Sequence, residues 1–326
     1  MIFLGKNKYY YGIPHCHTSY STGRGTPLDA FEYGKENDLD FMVITDHNSF
    51  LDKNIPNEKK EISRWAFTKN IAEKFRKKND DFLSLIGFET KTSPYGDFNI
   101  INPSTFFTGT VRNLNLLLLW MINNPDSFIT INHPHRSITL LDYNEYLNKL
   151  ITSIEVGNGT YPNKYIRYDK YFYTLLDKGW KLGAINGQDN HRINFGDSEN
   201  LTVIIAQELS KASLIKAFRE RRTFSTESRS LKMFFKINDY FMGDEITKPL
   251  KKLRFIIFAE DLKRKIFSIE ILSNGGKTIK KLSDINLNSI KYIYEQEVNE
   301  KENWYVIKIN EEGNRIAISS PIFIKK

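Results

Sequence analysis

The expected fold follows from one stretch, Phe41-Met42-Val43-Ile44-Thr45-Asp46-His47. Its apolar residues predict a buried strand, and an acid and a histidine follow where that strand ends. Polar residues come at the same point after other predicted strands, with Glu89 after residues 82–88 and His133 after residues 128–132. Because the carboxyl ends of parallel barrel strands converge on one rim, we expect these side chains to meet there.

Outward from this strand, apolar runs alternate with amphipathic segments, which is the pattern of βα units. The other predicted strands cover residues 9–15, 82–88, 98–101, 128–132, 153–156, 182–185 and 201–205. Predicted helices cover residues 26–36, 59–78, 111–122 and 164–179, and a further helix follows an N-cap at Ser210. Gly179 is expected to end its helix in the left-handed conformation.

Beyond about residue 228 the pattern changes to short strands separated by turns, without a helix-length amphipathic run. The predicted strands there cover residues 231–237, 253–258, 266–272, 290–297, 304–309 and 315–318. Asn274-Gly275-Gly276 is one of the turn signals between them. We therefore predict two domains, an α/β barrel over residues 1–227 and a small all-β, sandwich-like domain over residues 228–326.

The histidines of the chain are confined to four short motifs and none follows His191. These motifs are His15-Cys16-His17, Asp46-His47, His133-Pro134-His135 and Asp189-Asn190-His191. Such confinement of a rare residue suggests a shared task, which we interpret as holding metal ions for hydrolysis. His15 and His17 face the same side of an extended strand, so both imidazoles can reach one ion at about 2.0–2.1 Å.

In these motifs the chain resembles the PHP (polymerase and histidinol phosphatase) superfamily of metal-dependent phosphoesterases. The resemblance covers roughly residues 9–226 and is closest to the bacterial branch in which a β-sandwich follows the barrel. The matching motifs, in the order in which the family has them, are His15-Cys-His-Thr-Ser-Tyr-Ser, Ile44-Thr-Asp-His-Asn, Gly87-Phe-Glu, Asn132-His-Pro and Asp189-Asn-His.

The resemblance implies a distorted (β/α)7 barrel with two or three divalent metal ions, manganese, iron or zinc, at its carboxyl rim. One ion would be held by His15, His17, Glu89 and Asp189, and Glu89 would bridge to a second ion. The implied metal ligands are His15, His17, Asp46, His47, Glu89, Asp97, His133, Asp189 and His191. Of these, His133 belongs to the second ion, and His47 and His191 to a third.

This sequence departs from the family pattern in two places. The family usually has an aspartate after the first serine of the motif, where this chain has Thr22, so the third site is expected to be weak or empty. Many members have Gly-His-Phe-Asn where this chain has Gly96-Asp97-Phe98-Asn99. A carboxylate at Asp97 would favour manganese or iron over a nitrogen-rich zinc site, and the alternative is a turn residue before a strand.

Two ions that share a carboxylate lower the pKa of a bound water, so we predict a metal-bound hydroxide as the nucleophile. We assign catalytic roles to Glu89 and Asp189 through these ions. Arg24 and Arg136 are candidates for contacting phosphoryl oxygens, with ordinary surface arginines as the alternative. His135 is a candidate for contacting the substrate, and the alternative is a structural histidine.

Composition sets the remaining expectations. The net charge of +8 comes from 47 Lys and Arg against 39 Asp and Glu, but aromatic residues are not interleaved with the basic clusters. We therefore do not expect nucleic acid as a partner. The single cysteine, Cys16, and the absence of a signal peptide or a membrane span predict a cytoplasmic protein that does not contact membranes. Nothing in the composition indicates an oligomeric state.

The predicted function is hydrolysis of a small phosphorylated metabolite, such as a nucleotide or a sugar phosphate. One alternative is a metallohydrolase of a non-phosphate ester or carbamate. A second is a degenerate PHP barrel that acts as a binding module, and the departures at Thr22 and Asp97 favour it. A third is a nuclease, which would use the positive charge. We prefer the enzyme, because a barrel without catalysis has no reason to keep so many polar groups at one rim.

Overall fold

The structure is a computed structural model that describes residues 7–55, 61–160 and 163–325. The helices are α1 Pro27–Glu36, α2 Arg64–Lys78, α3 Leu114–Ile122, α4 Glu145–Leu150, α5 Asp169–Asp177 and α6 Lys211–Arg219. Short 3-10 helices cover Asn48–Phe50, Arg136–Leu140 and Asn274–Gly276.

The strands are of uneven length and run through the whole described chain. In the part predicted as a barrel they are β1 Lys8–Ile13, β2 Phe41–Ile44, β3 Leu83–Thr92, β4 Gly96–Ile101, β5 Phe128–Ile131, β6 Ile151–Asn158, β7 Ile166–Arg167, β8 Gly183–Gly187, β9 Leu201–Ala206 and β10 Thr223–Thr226. Those that follow are β11 Lys232–Ile237, β12 Tyr240–Phe241, β13 Glu245–Ile246, β14 Lys252–Glu260, β15 Ile266–Ser273, β16 Lys277–Leu282, β17 Ser289–Glu297, β18 Trp304–Glu311, β19 Arg315–Ser319 and β20 Ile322–Ile324.

The helices begin where a capping residue is available. Thr26 caps α1 as expected: its hydroxyl accepts from the Asp29 amide at 3.2 Å, and the Asp29 carboxylate accepts from the Thr26 amide at 2.7 Å. Helices α2 and α3 begin later than expected, because Ser63 and Asn113 are their N-caps. Gly179 has a φ of +96°, the left-handed conformation expected of it.

The predicted helices 59–78 and 164–179 correspond to α2 and α5. The predicted helix 59–78 starts at residues 59 and 60, which lie outside the described residues. Helix α5 is shorter than the predicted 164–179 and covers Asp169–Asp177. Within the described ranges, none of the helices combines the length and the apolar character that crossing a bilayer requires.

One large mixed sheet dominates the fold and follows the order β13-β20-β18-β19-β10-β9-β1-β2-β3-β4-β5-β6-β7, with β8 also paired to β6. Strands β1, β2 and β3 are parallel to one another, and so are β5, β6 and β8. The expectation of parallel strands throughout is wrong at β4, which is antiparallel to both β3 and β5, and at β9, which is antiparallel to β1. Only residues 93–95 join β3 to β4, and so short a connection joins antiparallel neighbours.

The ends of β1 and β8 come together beside the histidine motifs. The His17 amide donates to the Asn190 carbonyl at 3.0 Å, and the Asp189 amide donates to the His15 carbonyl at 3.0 Å. The sheet therefore curves until motifs far apart in sequence lie next to each other. A closed (β/α)7 barrel remains a prediction.

A second sheet, in the order β12-β11-β14-β17, packs near the end of the chain. It shares an apolar core with strands β15 and β18, and the rings of Phe255 and Tyr305 meet edge to face at 5.1 Å. However, β19 pairs with β10, so the large sheet continues across the predicted boundary at residue 227. Thr226 and Ser228, where a linker was expected, are buried. A separate sandwich-like domain over residues 228–326 thus stays a prediction.

Candidate metal centre

The candidate metal centre lies where β1, β2, β3, β5 and β8 end or pass close to one another. His15 and His17 follow β1 and are both fully buried, with 3.2 Å between their Nε2 atoms. Asp189 reaches them from the segment after β8, and its Oδ1 atom lies 3.4 Å from His15 Nε2 and 3.1 Å from His17 Nε2. Two imidazoles and a carboxylate therefore point at one position.

Glu89 is a carboxylate with four imidazoles within 3.4 Å. Its Oε1 atom lies 3.4 Å from His15 Nε2 and 3.2 Å from His133 Nε2. Its Oε2 atom lies 3.3 Å from His17 Nε2 and 3.1 Å from His47 Nδ1. Glu89 was expected after a strand, but it lies inside β3, which continues to Thr92. Its central position results from that longer strand.

The donor atoms fall into three overlapping groups that could hold an ion, each with its atoms within 4.8 Å of one another. The groups are His15, His17 and Asp189; His15, Glu89 and His133; and His17, His47 and His191. The first two share His15, and Glu89 contacts members of all three. The arrangement supports two or more neighbouring ions more directly than a single isolated one.

The spacing of these atoms fits metal ligation. Ligands bound at about 2.0–2.1 Å lie about 2.8–3.0 Å apart at right angles and about 3.3–3.4 Å apart in a tetrahedral arrangement. The nitrogen and oxygen atoms around Asp189 and Glu89 lie at 3.1–3.4 Å in most pairs. Asp189 Oδ1 is buried and has no partner in hydrogen-bonding geometry among the described residues, although three imidazoles surround it. A buried carboxylate oxygen without a well-aligned hydrogen bond is costly, and a cation between it and the imidazoles would satisfy it.

The carboxylates change the acidity of three histidines. Burial lowers the pKa of His15, but Asp189, Glu155 and Glu89 together outweigh it and raise the pKa well above the ordinary 6.5. Burial is likewise outweighed at His17, where Asp189 and Glu89 raise the pKa to about 9. Burial is outweighed at His133 by Glu89, and the pKa is again raised to about 9. The cluster therefore attracts positive charge strongly.

The pKa values of Glu89, Asp189 and His47 are lowered instead. Burial would raise the pKa of Glu89, but the neighbouring imidazoles of His15, His133 and His17 hold it well below the ordinary value. For Asp189, burial is again overcome by His15 and His17, so its pKa also falls. Burial and then repulsion from His17 lower the pKa of His47 to about 4. Near neutral pH both acids are ionised and His47 is a free base, as metal binding requires, whereas an ion would displace the protons that His15, His17 and His133 hold in its absence.

Asp46 lies outside the three groups of donor atoms. Its Oδ1 atom accepts from the Thr18 amide at 2.7 Å and also from the Ser21 hydroxyl, and its Oδ2 atom accepts from the Thr18 hydroxyl at 2.6 Å. These bonds fix the loop that carries Thr22 and Arg24. A role of Asp46 as a metal ligand stays a prediction, and its bonds favour a role in holding this loop.

Asp97 and His135 also lie outside the three groups. Asp97 sits in β4 opposite Lys91, and burial followed by repulsion from Glu89 raises its pKa. The exposed His135 has Nδ1 at 2.9 Å from the Ser137 hydroxyl and lies against Gly96. Their roles as a ligand and as a substrate contact stay predictions.

Arg24 and Arg136 are both exposed. Arg24 lies on the loop after His17, and Arg136 begins the 3-10 helix after His135. Near Arg24, the Thr22 hydroxyl lies 3.0 Å from His191 Nε2, and His191 Nδ1 lies 2.9 Å from the Asp189 carbonyl. Both nitrogens of His191 thus have partners within the protein.

Two residues with clear contacts to this centre were not among the predicted ligands. Asn132 donates to Glu89 Oε1 at 2.9 Å. Glu155, fully buried in β6, lies 2.8 Å from His15 Nδ1. The sequence already indicates Glu155, because an acid at the end of the predicted strand 153–156 can orient a ligand or bind substrate, with a salt bridge at the strand end as the alternative.

No family profile and no curated protein matches the chain. Among solved structures, the chain is similar to a two-domain protein from Bacteroides vulgatus ATCC 8482 that contains a predicted PHP-like metal-dependent phosphoesterase. The TM-score is 0.57 at 16% identity, over 94% of this chain and 91% of that chain. PsfC from Pseudomonas syringae PB-5123 has a TM-score of 0.45 at 12% identity, over 66% of this chain and 90% of that chain. The first likeness confirms the PHP-type fold expected from the motifs.

Proposed function

We propose that this protein is a metal-dependent phosphoesterase that hydrolyses a small phosphorylated metabolite, a nucleotide or a sugar phosphate. One observation carries the proposal: Asp189 Oδ1 is buried without a hydrogen-bonding partner among the described residues, inside a cluster of imidazoles and carboxylates. Burying so many ionisable side chains together costs free energy, and bound cations would compensate for that cost.

We infer that two divalent ions, manganese, iron or zinc, are held here. His15, His17 and Asp189 would hold one ion, and Glu89 and His133 would hold the second. When bound, ions of this kind lower the pKa of water and offset negative charge on phosphoryl oxygens. A third ion at His47 and His191 is less well supported, because the Thr22 hydroxyl and the Asp189 carbonyl already engage both nitrogens of His191.

The protein side chains would orient the substrate from the exposed side of the centre. Arg24 and Arg136 are exposed guanidinium groups on the two segments that follow metal-binding motifs, and guanidinium pairs well with phosphate. His135 lies next to Arg136 and is exposed, so it would contact the substrate instead of an ion. Asp46 would keep the Arg24 loop in place through its bonds to Thr18 and Ser21.

The finer architecture belongs to the same proposal. The curved sheet would act as a distorted (β/α)7 barrel that carries the metal centre, and the strands after residue 227 would form a sandwich-like domain. The meeting of β1 and β8 supports the first part, and the shared core of β11, β14, β15 and β18 supports the second.

The proposal is tested with purified protein stripped by a chelator and reloaded with manganese, iron or zinc. Substrates are nucleotide and sugar phosphates, phosphodiesters, oligonucleotides, aryl esters and carbamates. We expect metal-dependent release of inorganic phosphate from some phosphomonoesters and none after the chelator is added. Activity confined to esters and carbamates without phosphorus would refute the phosphoesterase assignment, and cleavage of oligonucleotides alone would indicate a nuclease.

A further inference from the structure

Glu155 is a buried acid that the three candidate metal groups do not include. It lies inside β6, whose residues are all buried, and its own side chain has 0% exposure. A carboxylate removed from water costs several kcal/mol unless charge and hydrogen bonds compensate. Its contacts therefore indicate what it does.

Both carboxylate oxygens of Glu155 are used, and they reach two different histidines. Oε1 lies 2.8 Å from His15 Nδ1. Oε2 accepts from the His133 backbone amide at 2.6 Å and from Asn158 Nδ2 at 2.8 Å. His15 and His133 belong to the same donor group around Glu89. Glu155 therefore contacts the imidazole of one candidate ligand, His15, and the backbone amide of another, His133.

The bond to His15 determines which ring nitrogen is free. When His15 Nδ1 carries a proton and donates it to Glu155, Nε2 keeps its lone pair. That Nε2 atom is the one that faces Glu89 and Asp189, at 3.4 Å from each. A carboxylate on the far nitrogen of a ligand imidazole also fixes the ring orientation and makes the ligand more basic.

The hydrogen bond from the His133 amide to Glu155 stabilises an unusual backbone conformation at His133. His133 has a φ of +24°, in a region that residues with a side chain seldom adopt. A strained residue of this kind persists only where its surroundings hold it. The bond from its amide to Glu155 does so, and it leaves His133 Nε2 3.2 Å from Glu89 Oε1.

The neighbouring strand leaves room for this carboxylate. Gly187, in β8, has no side chain, and a Cβ atom there would lie 1.8 Å from Glu155 Oε1. Any other residue at this position would displace the carboxylate from His15. The absence of a side chain at Gly187 therefore leaves the space that the Glu155 carboxylate occupies between β6 and β8.

We propose that Glu155 is the positioning residue of the metal centre. Its carboxylate sets the proton of His15 on Nδ1 and holds the backbone of His133, so that a single group prepares the ligands on both sides of Glu89. The proposal rests on the metal dependence in the proposed function and makes no use of the substrate's identity.

Replacement of Glu155 by glutamine is a sharp test, because an amide cannot make both sets of contacts. If its oxygen accepts from His15 Nδ1, its NH2 group faces the donors of His133 and Asn158. If the amide is flipped, its NH2 group faces His15 Nδ1 and drives the proton to Nε2, which then cannot bind an ion. Either orientation weakens the site while the side chain keeps its size.

The first readout is zinc affinity, measured by competition with a chromophoric chelator on the full chain without substrate. We expect Glu155→Gln to lose about 10- to 100-fold in affinity, as for other groups that orient metal-binding histidines. The matched control is Glu145→Gln, at an exposed acid of α4 that pairs with Lys149, and it should bind zinc as the unaltered protein does. Wild-type zinc affinity in a folded Glu155→Gln variant would overturn the proposal.

The second readout is the NMR spectrum of zinc-loaded protein labelled with 15N-histidine. We expect a protected Nδ1–H signal from His15 that changes its chemical shift and exchanges faster with solvent in Glu155→Gln, because a neutral amide replaces the carboxylate acceptor. If that variant does not fold, Asn158→Ala replaces it in both measurements, because it keeps the carboxylate and removes one of its donors. We then expect a several-fold loss of zinc affinity, and an unchanged affinity and spectrum would overturn the proposal.

These readouts separate the two proposals. A wild-type protein that binds zinc but cleaves no phosphoester would refute the proposed function and leave the role of Glu155 standing. A Glu155→Gln variant with unchanged zinc affinity and an unchanged imidazole spectrum would refute the role of Glu155 alone.

Discussion

Glu89 is the side chain on which the two proposed ions depend most. Its two oxygens contact four imidazoles, and Asn132 donates to Oε1 at 2.9 Å. Removing its charge leaves the nearby histidines without the carboxylate they surround. The consequences should be local, because the contacts of Glu89 are to imidazoles and an amide and not to the apolar side chains of the core.

Replacing Glu89 by glutamine should reduce turnover to background and lower metal occupancy without unfolding the protein. The amide removes the negative charge that would be shared between ions, so the loss of affinity should exceed the 10- to 100-fold typical of indirect contacts. Metal content by elemental analysis, together with circular dichroism, checks this. A variant with normal turnover would show that Glu89 is not a bridging ligand.

Asp46 gives a second prediction, which separates a ligand from a loop-holding residue. Asp46→Ala removes three accepted hydrogen bonds from Thr18 and Ser21, so the Arg24 loop should lose its fixed position. We expect the metal content to stay at the wild-type level while KM for the substrate rises about tenfold, the equivalent of about 1.4 kcal/mol. Elemental analysis and steady-state kinetics measure the two quantities. Loss of an ion would instead support Asp46 as a ligand.

Most of the gathered side chains could be predicted from the sequence because histidine and acid motifs follow apolar runs. His15, His17, His47, Glu89, His133, Asp189 and His191 do meet. The contacts of Asp46 could not be predicted, because its partners are a backbone amide and two hydroxyls whose positions depend on a loop. The bond between the His133 amide and Glu155 could not be predicted either, because it involves a backbone amide in a rare conformation.

Strand β18 ends in a buried acid whose charge state depends on a neighbour. Glu311 has 1% exposure, and burial followed by repulsion from Asp261 raises its pKa to about 8. Burial of Asp261 is outweighed by donors, including the Ser230 hydroxyl at 2.6 Å and the Lys263 amide at 2.8 Å, so its pKa is lowered. Glu311 therefore holds the proton of the pair near neutral pH.

This pair predicts how stability depends on pH. The folded state keeps a proton on Glu311 that the unfolded chain releases above its ordinary pKa of 4.5, so the contribution to stability is present below pH 4.5 and is lost as pH rises to about 8. Glu311→Gln should remove this slope and be the more stable protein at pH 8, by more than about 1.4 kcal/mol, the value of one pKa unit. Urea unfolding at several pH values measures it.

The neighbouring Glu312 provides the control, because it is exposed and Glu312→Gln should keep the wild-type slope. Equal slopes for Glu311→Gln and the unaltered protein would show that Glu311 is ionised throughout.

The positions of the strands in this part of the chain could be predicted from short apolar runs between turn residues. The antiparallel placement of β4 and β9 could not, because periodicity locates a strand but does not give its direction.

Trp304, at the start of β18, joins the last part of the chain to the part that carries the metal centre. It is fully buried, its indole donates to Asp177 at 2.9 Å, and its ring stacks on Tyr173 at 5.6 Å. Both partners belong to α5, on the other side of the predicted boundary at residue 227. The pairing of β10 with β19 links the same two parts through the backbone.

We therefore expect the chain to unfold in one transition, and Trp304→Ala to lower its free energy of unfolding by about 3–5 kcal/mol. Tyr146→Ala, at an exposed aromatic residue, is the control and should change it little. Denaturant unfolding with and without zinc measures both effects, and zinc should raise the midpoint of the single transition. Two transitions, of which zinc shifts only one, would instead support independent domains. The pattern of apolar runs and turns predicted the two styles of secondary structure, but their shared sheet depends on pairings distant in sequence.

The central claim is that ions bind among His15, His17, Glu89, His133 and Asp189. It is tested most directly by anomalous X-ray scattering from crystals grown with manganese or zinc, with data collected on both sides of the metal absorption edge. We predict two anomalous peaks, one in contact with His15 Nε2, His17 Nε2 and Asp189 Oδ1 and one in contact with Glu89 and His133. Crystals without peaks at these atoms, or with peaks only elsewhere on the protein, would contradict the claim.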